Sequence, residues 1–579
     1  MILLLVLLIV QADPLAPLPI MPVIATPVIA KPVVMNPAPS TMFPALPAPL
    51  PSALPAPVVV PSDWRGEFAA IRKGDWAGAA AGIAGLPKGP LSVVAKAELY
   101  TARGSPTVSV DELQALIGEA PELPQAEQLE RLAASRGSVQ MMAIPERPVI
   151  GLSSATRRGK TRPVVGDAVA DQLRAALDPL LKADGADAAE ALMIQSAPLM
   201  TPEGRAEAAQ RVAWSFYTLG RDADAVRVAE AGRAGASGDW WVAAAWVSGL
   251  ASWRQNDCGA AGQRFREVLA SARETELVAA ASYWAARAAQ ACRQPGAVAP
   301  LLKAAARSTE SFYGLVARQT LGMETRMVAA SAADTGTIDD LPNVRRATEL
   351  VAIGERGLAD EALRHQSRIG RAQDQRALIA VAGRLELVGT QYWLATNGQP
   401  GASVEAAARY PRPRWVPQNG WRVDPALAYG HVIQESNFRT GAVSAAGATG
   451  LMQVRPGTAG DKARARGVVF DPTSLTDPAI NLDYGQAFIE LLRTNSATRG
   501  QLPRVIAAYN AGPVPVERWS AIPDKGDPLL WIESIPYWET RFYVPAVMRN
   551  MWVYQGLAGA DQPSLIALAQ HKWPAFPAR

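Results

Sequence analysis

The chain is poor in residues that hold metals. Its 579 residues include three histidines and two cysteines. A zinc site needs three or four well-spaced ligands, and Cys258, Cys292, His365, His431 and His571 show no such spacing. No cofactor is implied. Neither sign of charge dominates: 57 Lys and Arg against 53 Asp and Glu leave a formal net charge of +4. With no extended basic stripe either, there is no ground for nucleic-acid binding. No run of about 20 apolar residues follows the N-terminus, which argues against a polytopic membrane protein and leaves at most a peripheral membrane contact. What the chain does have is ordinary soluble composition, 49% hydrophobic and 19% charged, and ample apolar material for a core. At about 150 residues per domain, its length allows three or four domains.

Residues 1–12 begin with MILLLVLLIV. Ten apolar residues fit the h-region of an export signal and are too short to span a bilayer. The usual basic n-region is missing, since no Lys or Arg precedes Lys31. We read a signal-peptide-like segment, with an arbitrary start codon as the plain alternative. Residues 13–62 carry 15 of the chain's 47 prolines. Each proline removes a donor and fixes φ, so this stretch reads as an extended, disordered tether.

From residue 63 to 404 the text is rich in Ala, Leu, Arg and Glu, all strong helix formers. Alternating β-branched runs are nearly absent, and Gly and Pro fall between segments of about 12–18 residues, as helical hairpins require. Trp246–Trp253 leading to Cys258 resembles Tyr283–Gln290 leading to Cys292, and the cysteines stand 34 residues apart (292 − 258). Such a period marks stacked helix–turn–helix units, an α-solenoid whose tryptophans fill the core between helices. Cys258 and Cys292 are open to two readings of equal weight: a disulfide between adjacent repeats, or two separately buried thiols. The cluster Arg157-Arg158-Gly159-Lys160-Thr161-Arg162 reads as a solvated loop, with contact to an anionic polymer as the alternative.

Near Tyr410 the composition shifts to Pro, Trp and Arg, marking a junction into a second domain, 405–560, followed by a tail, 561–579. Asp424-Pro425 supplies an N-cap and a proline at the first helical position. The helix should run from Ala426 to about Glu435, with Glu435 on the face of Val432 and Ala428. A carboxyl on an apolar face beside a helix C-terminus should have its pKa raised, by desolvation and by the negative end of the dipole. That is what a general acid needs. Next comes Gly447-Ala448-Thr449-Gly450-Leu451-Met452-Gln453, where glycines permit close backbone approach and Gln453 can both donate and accept. Ala508-Tyr509-Asn510-Ala511-Gly512 sets a phenol and an amide at a helix end. Glu533-Ser534-Ile535-Pro536 and Glu539-Thr540-Arg541-x-Tyr543-Val544 follow.

Together with Gln434-Glu435-Ser436 and in this order, these strings resemble the soluble lytic murein transglycosylase family, whose goose-type-lysozyme-like catalytic domain follows an N-terminal helical superhelix. Ser311-Phe312-Tyr313-Gly314-Leu315 and Tyr283-Trp284-Ala285-Ala286-Arg287 extend the likeness upstream, so that it covers about 165–560. The resemblance implies an all-α fold, a periplasmic location and cleavage of the β-1,4 bond between N-acetylmuramic acid and N-acetylglucosamine. Glu435 matches the catalytic acid and base, and the product is 1,6-anhydro-N-acetylmuramic acid. Ser436, Gly450, Met452, Gln453, Tyr509, Asn510 and Glu533 match substrate-binding positions. Ser436 would orient the acid or support the oxocarbenium ion, Tyr509 would hydrogen-bond near Glu435, and Glu533 would flank the cleft. No Asp or Glu lies between Glu435 and Asp461, consistent with a single-acid scheme. Glycan strands are the implied partner, with other cell-wall enzymes a further option. The alternatives are a hydrolytic muramidase of the same fold and an inert helical scaffold. His431 departs from the pattern by standing where an apolar residue is expected; a satisfied core histidine is the plainer reading.

Overall fold

The computed structural model describes residues 59–139, 142–152, 158–331 and 333–577. The signal-like segment, the tether up to residue 58, and Arg157 lie outside them. The chain divides into two compact units, one built on the five helices between Trp64 and Ala134, the other on nearly everything from Ala143 onward. The sequence block 63–404 therefore contributes to both.

The described residues are almost entirely helical, as the alanine-rich text requires. The exception in named strands is one short antiparallel pair, Ile150–Gly151 against Asn397–Gly398. In the second unit three hairpins follow one another: Pro202–Thr218 with Asp222–Arg233, Gly238–Arg254 with Cys258–Ser271, and Thr275–Ala291 with Pro295–Ala306. Each turns on a single left-handed residue, Gly220, Asn256 or Arg293. At each turn that residue's N–H reaches the carbonyl three back, and the next N–H reaches five back (Asp257 to Ser252, Gln294 to Ala289). These bonds satisfy the orphan carbonyls of the first helix while reversing the chain.

Large aromatic side chains join the hairpins. Phe265 lies 5.3 Å from the Trp246 ring and 5.8 Å from Trp284, and Trp253 meets Trp284 edge-on at 5.7 Å. Gly249 lets Phe265 approach, since a Cβ there would stand 2.8 Å from the ring. Trp246 and Trp284 are core, as expected, and the Trp284 indole donates to the Tyr313 hydroxyl at 3.0 Å. The two cysteines are joined in a disulfide across adjacent hairpins, with Cα atoms 5.6 Å apart, inside the range such a bond requires.

The basic cluster does not behave as one solvated loop. Arg158 is buried and forms a two-point ion pair with Glu533, at 2.9 and 3.0 Å. Trp246 and Phe542 rings lie against its guanidinium. An arginine buried beside a carboxylate gains full Coulomb energy in exchange for its lost hydration, which a lysine-like solvated residue does not.

In the C-terminal domain proline opens most helices at the first or second position: Pro425, Pro456, Pro478, Pro513, Pro528 and Pro563 among them. Helix Pro425–Ser436 crosses helix Trp538–Leu557 closely at Gly430, where a Cβ would stand 2.9 Å from the Val547 carbonyl. The stretch 561–577 is no loose tail. It forms helix Pro563–Ala569, Ser564 accepts from the buried Trp552 indole at 2.8 Å, and Phe576 N–H reaches Gly500 O at 2.8 Å.

Candidate active site

Glu435 stands in the last turn of helix Pro425–Ser436. Asp424 starts that helix by accepting from Ala426 N–H at 2.8 Å. Asn437 and Phe438, both left-handed, stop it immediately after the acid. The stop is anchored because the Phe438 ring is buried among Tyr392, Trp415 and Tyr429.

The Glu435 side chain is half-buried. Tyr543, on helix Trp538–Leu557, donates its hydroxyl to Glu435 Oε1. Behind it His431 Nδ1 lies 2.7 Å from the same hydroxyl. The Tyr509 ring stacks 4.4 Å from the imidazole, backed by Phe488 at 5.4 Å. Burial pushes the Glu435 pKa up to about 7; the Tyr543 hydroxyl pulls the other way, and the Glu539 carboxylate nearby adds to the rise. No arginine or lysine offsets this. A carboxyl so placed keeps a substantial protonated fraction at neutral pH and can give up its proton.

The other expected residues divide between part-exposed and buried positions. Asn510 is part-exposed; its amide donates to Glu539 Oε1 at 3.2 Å and its carbonyl accepts from Thr540 at 2.6 Å. Gln453, left-handed and part-exposed, uses its amide nitrogen on the Ala442 and Gly450 carbonyls at 3.1 and 3.0 Å. Toward a ligand it can therefore only accept. Tyr509 does not bond Glu435: its hydroxyl donates to the Met452 carbonyl at 2.8 Å, tying the glycine loop to helix Leu502–Ala511.

Four positions expected at the substrate are structural instead. Ser436 is 1% exposed and bonds back to the Val432 carbonyl, as a serine in the last turn of a helix can. Met452 is fully buried with its sulfur against Gly485, where a Cβ would meet it at 2.3 Å. Gly450 has φ +80° and no room for a side chain, a Cβ meeting Asn481 Nδ2 and Leu475 O at 2.2 Å; it shapes the loop. Glu533 is 2% exposed and occupied by Arg158 and by the Tyr313 hydroxyl at 2.8 Å. Tyr543, expected in the cleft or the core, and Glu539, a carboxylate with no expected place, both stand at Glu435; their i, i+4 spacing sets them on one helix face.

Two further carboxylates of this domain stand away from the acid: Asp483 is buried and bound to Arg422 and Arg466 at 2.7 and 2.5 Å, and Glu517 is exposed on a separate helix. A cavity of about 720 Å³ elsewhere in this domain is lined by Asn419, Arg422, Arg466, Phe470 and Tyr484, with no residue of the Glu435 cluster. No cluster of potential metal ligands occurs among the described residues.

Residues 416–532 match the family model described as transglycosylase SLT domain. The soluble lytic murein transglycosylase of Escherichia coli K12 is 30% identical over 155 residues, 26% of this chain and 24% of that protein. The membrane-bound lytic murein transglycosylase C of Histophilus somni is 40% identical over 100 residues, 16% of this chain and 27% of that protein. The matched region thus spans about a quarter of each relative's length. The fold resembles that of the lytic transglycosylase Slt of Pseudomonas aeruginosa, with a TM-score of 0.51 at 20% identity over 88% of this chain and 98% of that one.

Proposed function

We propose, from the match of residues 416–532 to the transglycosylase SLT domain, that the chain is a peptidoglycan lytic transglycosylase. The observation that carries this reading is the Glu435 carboxyl, held by the Tyr543 hydroxyl, without a cationic partner among the described residues and raised to about 7. Glu435 protonates the glycosidic oxygen between N-acetylmuramic acid and N-acetylglucosamine. The bond breaks through an oxocarbenium-like state, leaving Glu435 as the carboxylate. That carboxylate then takes the proton of the muramoyl C6 hydroxyl as its oxygen attacks C1, closing the 1,6-anhydro ring. The proton given stays on the departing N-acetylglucosamine hydroxyl, the C6 hydroxyl supplies the one that regenerates the acid, and no water is consumed. Attack by a hydroxyl already tethered to the reacting ring needs little further positioning. Asn510, Gln453 and Glu539 are the polar groups available to orient the glycan.

The place of action is the periplasm, where the murein lies. No described helix is long and apolar enough to cross a membrane. Other cell-wall enzymes remain candidate partners of the helical hairpins.

The test is product analysis on purified sacculi. Wild type should create new anhydro ends, each lighter by one water than a reducing end, and Glu435→Gln should form them about 10²- to 10⁴-fold more slowly. New reducing ends would instead identify a hydrolytic muramidase. Sacculi left intact by the wild type would favour the inert scaffold.

A further inference from the structure

His431 lies one helical turn before Glu435 on the same face of the helix. It is fully buried. Its imidazole has two polar ends. Nδ1 is 2.7 Å from the Tyr543 hydroxyl, and Nε2 has no partner among the described residues. Tyr543 has a single proton, which it gives to Glu435 Oε1. The phenolic oxygen then has lone pairs facing Nδ1. An N–H left unpaired in a protein interior is costlier than a bare acceptor nitrogen. The unpartnered Nε2 is therefore the bare one, and Nδ1 carries the proton.

We infer that His431 is a positioning residue: as its Nδ1–H tautomer it donates to Tyr543, fixes that hydroxyl as a donor to Glu435, and so stabilises the carboxylate left when the acid's proton departs. This rests on Glu435 as the general acid and adds a group that tunes it. Hydrogen bonds in such a chain polarise one another, so the bond to Glu435 is stronger than a lone phenol would make. Burial holds the imidazole down at about 3, so it stays neutral and never competes as an acid itself. The other titratable groups facing this chain are few. Helix Leu502–Ala511 contributes Tyr509, and helix Trp538–Leu557 contributes Tyr543 and Glu539. Both phenols are pushed well above their ordinary value by burial and stay protonated. The neighbouring helix Pro478–Thr494 offers only the apolar Phe488.

The experiment is the pH dependence of anhydro-end formation from sacculi for wild type, His431→Leu, His431→Asn and Tyr543→Phe, with melting curves to show that each folds. His431→Leu keeps the volume and removes the donor. Its alkaline limb should move up by about half to one pH unit and kcat should fall roughly 3- to 10-fold, with KM within about twofold, because the imidazole does not touch substrate. His431→Asn places an amide N–H where Nδ1 stood and should return the limb to within about 0.3 units of wild type. In the Tyr543→Phe background, His431→Leu should add no further shift, since the link between the two groups is gone. A His431→Leu limb that overlays wild type, an asparagine that behaves like leucine, or an undiminished shift without the phenol would each overturn the inference. If the leucine variant fails to fold, the asparagine and phenylalanine variants decide: coincident limbs refute it, and a wild-type-like limb for asparagine alone supports it. A Glu435→Gln enzyme as active as wild type would defeat the acid assignment itself, and it shows in a separate arm.

Discussion

Two glutamates of the C-terminal domain, one buried and one half-buried, are handled in opposite ways. Glu533 and Glu435 each sit at the end of a helix, and each accepts a tyrosine hydroxyl, from Tyr313 and Tyr543 respectively. Glu533 also has Arg158 on both oxygens, a residue 375 positions away in sequence. Glu435 has no cationic partner among the described residues. The phenol is common to both, so it is the guanidinium that separates a structural anchor from a poised acid. With it, the carboxylate is tied into a two-point ion pair that holds two distant segments in register. Without it, desolvation outweighs the phenol's hydrogen bond and the proton is retained near neutral pH.

Neutral replacement at the two positions should therefore break different things. Glu435→Gln should lower anhydro-end formation by about 10²- to 10⁴-fold, the range expected for a lost general acid, and leave the fold intact. Arg158→Met should leave activity per folded molecule near normal and destabilise the protein by about 3–5 kcal/mol, because it strands the Glu533 charge in the interior. Adding Glu533→Met to that variant should recover most of the loss, since an apolar pair needs no counter-charge. Chemical denaturation reads both. If Arg158→Met melted like wild type, the anchor side of the comparison would fail.

The pH dependence of stability sharpens the contrast. Glu435 has a folded pKa of about 7 against an ordinary 4.5, so the folded state holds the proton more tightly than the unfolded chain. Its contribution is full below about 4.5, declines as pH rises through about 7, and is flat above. Glu435→Gln removes that decline. The variant should gain about 1–3 kcal/mol over wild type between pH 4.5 and pH 8. Parallel stability curves for the two proteins would mean that the carboxyl is not desolvated in solution.

Local signals were legible in the sequence, and partners far along the chain were not. Asp424-Pro425 announced the start of the acid helix because capping depends on adjacent residues alone. Glu435 on an apolar face announced a raised pKa for the same reason. The hairpin period was readable because it repeats. By contrast, Arg158 looked like part of a hydrated basic loop because Glu533, which draws it inward, lies near the other end of the chain. Glu533, lacking a visible cation, looked free for substrate. Ser436 and Met452 sit inside motif strings next to the part-exposed Glu435 and Gln453, and only the direction of each side chain tells them apart. Whether Cys258 meets Cys292 depended on how closely neighbouring hairpins stack, which the 5.6 Å between Cα atoms now answers.

A third glutamate extends the comparison to the N-terminal unit. Glu67, on helix Trp64–Lys73, is sealed from solvent, and neither of its oxygens has a partner among the described residues. It lies over Gly82 of helix Trp76–Gly85, where a Cβ would stand 2.0 Å from Oε2. Burial, then the Asp75 charge, pushes it up to about 7. It has neither the arginine of Glu533 nor the phenol of Glu435, so nothing local rewards ionisation. The sign follows as for Glu435: this helix pair is firmest below about 4.5 and loosens as pH rises through about 7. Amide exchange over residues 64–85, corrected for the intrinsic pH dependence, should show protection falling several-fold (roughly 3- to 10-fold) from pH 5 to pH 8. In Glu67→Gln the same residues should hold constant protection. Equal loss in both proteins would place the pH sensitivity elsewhere in the unit and leave Glu67 as a carboxyl that water reaches after all.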